Sequence, residues 1–513
     1  MVIRVRDGAA DDPHLVDDRG CLSRREVNTL LNRTVHGLRA LGLGPDRPAA
    51  VFASNAAEAA LAHVGGLLAG VASVPVNPML GRAEVAYLLR DSGAGVLLVG
   101  PETAAVGVAA AADSGVPHVV GWRCDGHDDL VAWVRWLAEQ SADEPAADVA
   151  SADILFYTSG TTGHPKGTTS RLSSVPRTVD DLVGLWLAHL PTQIGPSLRP
   201  TLVVGPMHHI APLSSAIVGV LGHGAVVLPR FDATEVVRAI ERYRPGSMVM
   251  VPTHFSRLLA LPAEVREGAD VSSIEWVGLT GASCPVELKR RMIEWMGPVV
   301  LEAYGGTEAG VVCLIDSKEW LDHPGSVGTC IPDFEPVVVG EDDAVLSPGE
   351  VGRLYFRDLT GRGIEYRNAP DKTAAAHLAP GVFTLGDVGY VDPDGYVYIT
   401  DRAVDMIVSG GVNIYPAEAE AVLVQHPAVR DVAVIGVPHP DLGEAVRALV
   451  EPADADAPPD ADELIRYCRQ RLAHYKCPTS VELVVSVGRS AMGKLDKRAL
   501  RAPYWPTERT IGG

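Results

Sequence analysis

Positive charge is scarce in this sequence of 513 residues: 44 lysines and arginines stand against 64 aspartates and glutamates, a net charge of −20. That balance offers no electrostatic footprint for nucleic acid or for an anionic membrane surface, so any anionic ligand has to be held by local groups. Paired cysteines are missing too. The seven present (Cys21, Cys124, Cys284, Cys313, Cys330, Cys468 and Cys477) are odd in number and widely spaced, with no CxxC pair and no zinc spacing. They read as reduced, mostly buried residues of a cytoplasmic protein. Long unbroken apolar runs are absent. The uncharged stretches Ala59 to Val76 and Ile210 to Pro229 are interrupted by Gly65, Gly66, Gly70 and Pro75, and by Pro212, Gly222 and Gly224. Each fits a buried helix followed by a strand, not a membrane span. Met1 to Asp12 carries arginines and aspartates but no apolar segment of the secretory kind, and cytoplasm is the expected compartment.

What is present is a chain long and apolar enough, at 47% hydrophobic residues, for two or more domains. From about Arg25 to Gln425, strand-like apolar runs alternate with amphipathic helical stretches, the pattern of layered α/β structure. In one such unit Asp232 and Glu235 form a capping pair, Val236, Ile240 and Tyr243 share a helical face, Pro245 and Gly246 end it, and Met248 to Val251 follows as a buried strand. A boundary is expected near Asp401 to Asp405, giving domains over 1–402 and 403–513, the second opening with a glycine pair and a helix started by Pro416. Pro452 to Asp460, rich in Ala, Asp and Pro, reads as a surface loop before a helix carrying Leu464, Tyr467, Cys468 and Leu472 on its apolar face.

The most informative segment is Tyr157-Thr158-Ser159-Gly160-Thr161-Thr162-Gly163-His164-Pro165-Lys166-Gly167, directly after the apolar run Ile154-Leu155-Phe156. Glycines let the backbone turn N–H groups toward an oxyanion, hydroxyls add donors, and a lysine supplies the point charge that a triphosphate needs. A Walker loop would place Gly before its Lys and Ser or Thr after it; Pro165 and Gly167 stand there instead, which excludes the ordinary nucleoside-triphosphatase pattern.

At every fixed position this loop resembles the signature of the adenylate-forming superfamily, which holds acyl-CoA synthetases, aryl-CoA ligases, firefly luciferase and peptide-synthetase adenylation domains. The resemblance spans nearly the whole chain, because further motifs follow in the family's order. It implies a large multi-layer N-terminal domain (αβαβα sheets plus a small β subdomain) and a small mobile C-terminal α+β domain. It also assigns roles. In Tyr304-Gly305-Gly306-Thr307-Glu308, Tyr304 would stack on adenine, Thr307 would bond the α-phosphate, and Glu308, with Thr161, would hold Mg²⁺. Asp387 would accept both ribose hydroxyls, and Arg402 would reach the same sugar. Leu385 stands where family members often carry threonine. Gly281 and Ala282 would border the nucleotide, and Gly281, Gly305, Gly306 and Ala309 would leave room for the acyl group. Lys494 would bridge the substrate carboxylate and the α-phosphate, supplying a cation where two anions meet.

Pro206-Met207-His208-His209-Ile210 matches the family's substrate-side motif, which makes His209 the wall of the acyl site; the two histidines are expected at a strand end, on opposite faces. Amino-acid-activating relatives carry an aspartate near this motif. None occurs between Pro206 and Ser215, and Ile210, Leu213, Ile217 and Val220 argue for a hydrophobic acid. Ser409, Gly410 and Gly411 match the loop that forms the pantetheine tunnel, which favours CoA as acceptor. The hinge position, usually Asp or Lys, is Val404, which is stiff and uncharged. The expected reaction is therefore ATP-dependent formation of an acyl-AMP followed by transfer to CoA. Two rivals stand beside it: an adenylase that hands acyl-AMP to a partner enzyme or carrier-protein thiol, and an inactive nucleotide-binding protein, which would need a lost catalytic residue. The oligomeric state is open, a homodimer included.

Overall fold

The computed structural model describes residues 10–158, 166–169, 177–194, 197–340, 342–402, 405–409, 412–440, 442–490 and 493–505. Strands Ala49–Phe52, Ser73–Val76, Val96–Val99 and Ser247–Met250 are short and buried on both faces, so each must be covered twice. Ala49–Phe52 illustrates the rule: Ala49 and Val51 join one buried cluster, Ala50 and Phe52 another, as the two-residue period of a strand dictates.

The clusters define five layers. Helices Arg82–Ser92 and Ala104–Ser114 cover one face of a five-stranded sheet whose strands include Ser73–Val76, Ala49–Phe52 and Val96–Val99. Its other face shares a core with helices Arg24–Ala40, Ala57–Ala69 and Ile210–Leu221, which pack in turn on a larger sheet. Helices Ala233–Tyr243, Pro252–Leu259 and Val286–Met296 close the outer face of that larger sheet. The αβαβα order is the one the family resemblance implies.

Within the larger sheet, Ala225–Val227, Thr201–Val203, Ser247–Met250, Trp276–Leu279 and Val300–Gly306 run parallel. The sheet then turns antiparallel through Gly310–Asp316 and Ser326–Cys330 into a β-rich part containing Val397–Arg402, Asp387–Val391 and Gly352–Asp358. A further five-stranded sheet, built on the long hairpin Val429–His439 with Gly443–Pro452, carries helices Pro416–Leu423 and Ala461–Arg469.

Local expectations are met where short-range chemistry governs. Ala233–Tyr243 starts at Asp232, whose carboxylate accepts from the Thr234 and Glu235 amides; Glu235 does not reciprocate as a capping partner, and pairs with Arg238 at 2.6 Å. Leu464 and Cys468 are buried under the helix after the Ala/Asp/Pro loop. Among the described residues no helix is long and apolar enough to cross a membrane.

Candidate active site

Strand Val300–Gly306 delivers the first group of side chains at its carboxyl end, where open α/β sheets place their ligand crevice. A hairpin returns at once through Gly310–Asp316, with a bulge between Tyr304 and Gly305. Gly305 is obligatory on steric grounds, since a Cβ there would stand 1.9 Å from the Gly310 carbonyl oxygen. In the turn, the Ala309 amide donates to Gly306, Thr307 and Glu308 are partly exposed, and Ala309 is buried against Val312 and Cys313. Gly281, at φ 89°, and Ala282 follow the neighbouring strand Trp276–Leu279 at the same edge.

Asp387 opens the strand Asp387–Val391, opposite Arg402 in register. Its Oδ2 accepts from the Tyr304 hydroxyl at 2.6 Å and its Oδ1 faces the Arg402 Nε at 2.9 Å. Burial raises the Asp387 pKa, and the Arg402 charge and the Tyr304 hydrogen bond oppose that rise. Each carboxylate oxygen keeps a second lone pair, enough for a vicinal diol. Burial, reinforced by Asp387, pushes the Tyr304 phenol well up, so it stays a neutral donor. Leu385 packs in the same apolar cluster as Tyr304 and closes on Gly306, a hydrophobic wall in place of a threonine hydroxyl.

Lys494 reaches this group from a loop beyond residue 490. Hydrogen bonds from Ser490 to the Lys494 carbonyl, from Gly493 to Ser490, and from the Lys494 amide to Ser490 Oγ close that loop into a turn. Desolvation and then the Arg402 cation lower the Lys494 pKa, while Glu308 and Asp387 raise it. Four charges from distant parts of the chain thus share one field. His209 joins them: burial, then His208 and Lys494, lower its pKa to about 3, so it is a neutral imidazole at pH 7.

The two histidines depart from expectation. They stand in a turn after Pro206, with His209 as the cap of helix Ile210–Leu221, and their rings lie 4.3 Å apart instead of on opposite faces. A proline without an N–H cannot extend the ladder of Thr201–Val203, so the alternation of a strand does not apply. Leu213, Ile217 and Val220 are likewise core residues, packed in the layer between the sheets. Their apolar character reports helix packing rather than the acid.

The segments on either side of residues 159–165 pair as antiparallel strands, Leu155–Thr158 with Lys166–Thr169, Thr158 standing opposite Lys166. Tyr157 anchors one arm by donating to Asp91 at 2.7 Å, and the Arg367 amide holds the other through the Gly167 carbonyl. Ser159, Gly160, Thr161, Thr162 and Gly163 lie outside the described residues, as do Val404, Gly410 and Gly411. Ser409 ends the short strand Ile407–Ser409, opposite Gly443.

Two contacts had no visible signal in the sequence. The Tyr366 hydroxyl donates to Glu308 Oε1 at 2.6 Å, with the Lys372 ammonium 3.8 Å from the centre of its ring. Arg489 grips Asp431 at 2.6 Å and the Gly493 carbonyl at 2.9 Å, bracing the loop of Lys494. Both pairings join positions some 58 residues apart.

The chain matches the AMP-binding enzyme family over residues 4–360 and that family's C-terminal domain over 418–494. It belongs to the AMP-binding enzymes. This AMP-binding chain is 34% identical over 489 residues to the long-chain-fatty-acid–CoA ligase FadD13 of Mycobacterium tuberculosis (strain ATCC 25618 / H37Rv), covering 94% of this chain and 93% of that one. It is 35% identical over 494 residues to a feruloyl-CoA synthase of an Amycolatopsis species, at 94% coverage of both. Among solved structures it resembles the amide bond synthetase McbA of Marinactinospora thermotolerans, with a TM-score of 0.80, 26% identity, and coverage of 97% and 98%.

Proposed function

We propose that the protein activates a hydrophobic carboxylic acid with ATP and transfers the acyl group to CoA. The observation that carries this is the Asp387 carboxylate, held by the Tyr304 hydroxyl at 2.6 Å and by the Arg402 guanidinium at 2.9 Å beside the end of strand Val300–Gly306. An acid oxygen attacks the α-phosphorus, pyrophosphate departs, and the CoA thiolate then displaces AMP from the acyl carbon. Tyr304 faces adenine, Asp387 and Arg402 take the ribose, Thr158, Ser159, Gly160, Thr161, Thr162, Gly163 and Lys166 surround the phosphates, and Thr307 meets the α-phosphate. Lys494 stands between the two anions, where a preorganised cation is worth several kcal/mol to the transition state. His209, Gly281, Gly305 and Gly306 border the acid, and Ser409, Gly410 and Gly411 border pantetheine.

Glu308, with Thr161, would hold Mg²⁺. A lone carboxylate fits, since Mg²⁺ commonly keeps water and substrate phosphates as its other ligands. Among the described residues no cluster of three or more His, Cys, Asp or Glu offers an all-protein metal cage. When bound, the ion would neutralise charge on the departing pyrophosphate.

The acids in the relatives' names, a long-chain fatty acid and ferulate, support a hydrophobic acid. ATP–pyrophosphate exchange and CoA-dependent thioester formation, run with aliphatic, aromatic and polycyclic acids, test the reading; exchange with none of them would overturn it. A second reading, that acyl-AMP passes to another acceptor, draws on the likeness to McbA and on Val404. Residues 403–513 would rotate about Val404 between half-reactions. AMP release and acyl-CoA yield of the wild type and Val404→Asp decide the hinge question: a faster second step in the variant is expected, and unchanged rates for both half-reactions would sink it.

A further inference from the structure

Asn55 lies buried just past Ala49–Phe52, on the sheet that does not carry the catalytic strands. Its carboxamide nevertheless reaches the larger sheet at two places. Nδ2 donates to the Gly205 carbonyl at 2.8 Å and to the Leu228 carbonyl at 3.1 Å, and Oδ1 accepts from the Met207 amide at 2.8 Å.

The geometry is that of a missing strand residue. Pairing with the C=O of one residue and the N–H of the next but one is how an adjacent strand binds, and here the pair flanks Pro206, which has no N–H to give. Asn55 thus satisfies the backbone where the ladder of Thr201–Val203 has run out. Its third bond, to the residue after Ala225–Val227, fixes the carboxamide against the neighbouring strand.

The acyl-side motif leaves directly from this clasp. Met207 is sunk in the inter-sheet core, the His209 amide donates to the Pro206 carbonyl at 3.1 Å, and the His209 carbonyl accepts from Leu213 at 3.1 Å to start the helix. His209 therefore hangs on a tight turn fixed by the helix on one side and by Asn55 on the other. Its ring lies 4.3 Å from that of His208. We infer that Asn55 is a positioning residue for His209, setting where the wall of the acyl site stands; this rests on the reading of His209 as that wall. Only asparagine supplies two donors and an acceptor at this reach. Aspartate lacks the donors and would bring its charge against two carbonyl oxygens.

A double-mutant cycle distinguishes positioning from bulk stability. Asn55→Ala and Asn55→Asp are compared with the wild type, and Asn55→Ala is repeated in a His209→Ala background. KM for the acid, KM for ATP, thioester formation from acyl-AMP, and the urea midpoint are measured. In the wild-type background both variants should raise the acid KM and slow thioester formation by about tenfold, the ATP KM moving less than about twofold. With His209 removed, Asn55→Ala should add less than about twofold, because contacting residues are coupled. Equal effects in both backgrounds, a parallel rise in the ATP KM, or failure of both variants to fold would overturn the inference. Should His209→Ala by itself leave acid KM and thioester formation unchanged, the acyl-wall reading of His209 falls, whatever the Asn55 variants do.

Discussion

At the residue scale, the site works by charges whose neighbours have been chosen for them. Lys494 is held by a turn of its own and braced by Arg489, so its ammonium is placed by backbone contacts that do not involve its side chain. Lys494→Met should therefore slow ATP–pyrophosphate exchange by roughly 10² to 10³, the range for loss of one preorganised donor, and leave the thermal midpoint within a few degrees. An unchanged exchange rate would remove Lys494 from the reacting centre. Tyr366 acts one step back, through a single hydrogen bond to Glu308. Tyr366→Phe removes that donor and keeps the ring under Lys372, so kcat for exchange should fall about tenfold, in line with a charge-assisted hydrogen bond, while the acid KM holds. Loss of acid affinity without loss of kcat would place Tyr366 elsewhere in the mechanism. The residue types at positions 304–308, 387, 402 and 494 stood out in the sequence because the proposed chemistry calls for them: a flat ring for a base, a carboxylate for a diol, a cation between anions. Tyr366 was not, since nothing near it in sequence indicates that it meets Glu308.

At the scale of elements, strand Val300–Gly306 is tied to its covering helix by a buried ion pair. Lys289, fully buried on Val286–Met296, meets Glu302 of Val300–Gly306 at 2.7 Å, with its ammonium 4.5 Å from the Trp320 ring centre. Burial lowers the lysine pKa and raises that of the glutamate, and each charge restrains the other. Taking one partner away strands the other in the core, so Lys289→Met alone should cost about 3–5 kcal/mol. Combining it with Glu302→Leu should recover most of that loss in urea denaturation. A double variant no better than the single would show that the pair does more than neutralise itself. Helix Ala233–Tyr243 was readable from Asp232, the apolar spacing and the Pro-Gly stop, all within a dozen residues. The turn at Pro206 was not, because what holds it comes from Asn55, some 150 residues earlier. Leu213, Ile217 and Val220 look like acid-binding residues in sequence for the same reason: only the tertiary structure shows them packed between two sheets, with Ile210 partly buried against the same core.

For the whole molecule, the informative junction is where Val397–Arg402 leads on toward the last sheet. Asp401 accepts from the Ala417 amide at 2.9 Å and from the Arg402 amide at 2.7 Å, near Lys497, which is bound to Glu420 at 2.8 Å. Burial, opposed by Lys497, raises the Asp401 pKa from 3.8 to about 6. A carboxyl whose folded pKa lies above its unfolded value stabilises the fold fully below the unfolded pKa, and that contribution is lost as pH rises through the folded one. The stability of wild type minus that of Asp401→Asn should therefore decline between about pH 4 and pH 6, by chemical denaturation at several pH values; a flat or rising difference would refute the assignment. The sequence alone determined the family, the α/β class and the identities of the charged groups, because each depends on residue type and short spacing. The tertiary structure decided which partners those groups have: Tyr304 and Arg402 on Asp387, Tyr366 on Glu308, Lys494 in the same field, and Asn55 behind His209. Those pairings join separate segments of the chain, and only the layering of sheets and helices that buries the core brings them together.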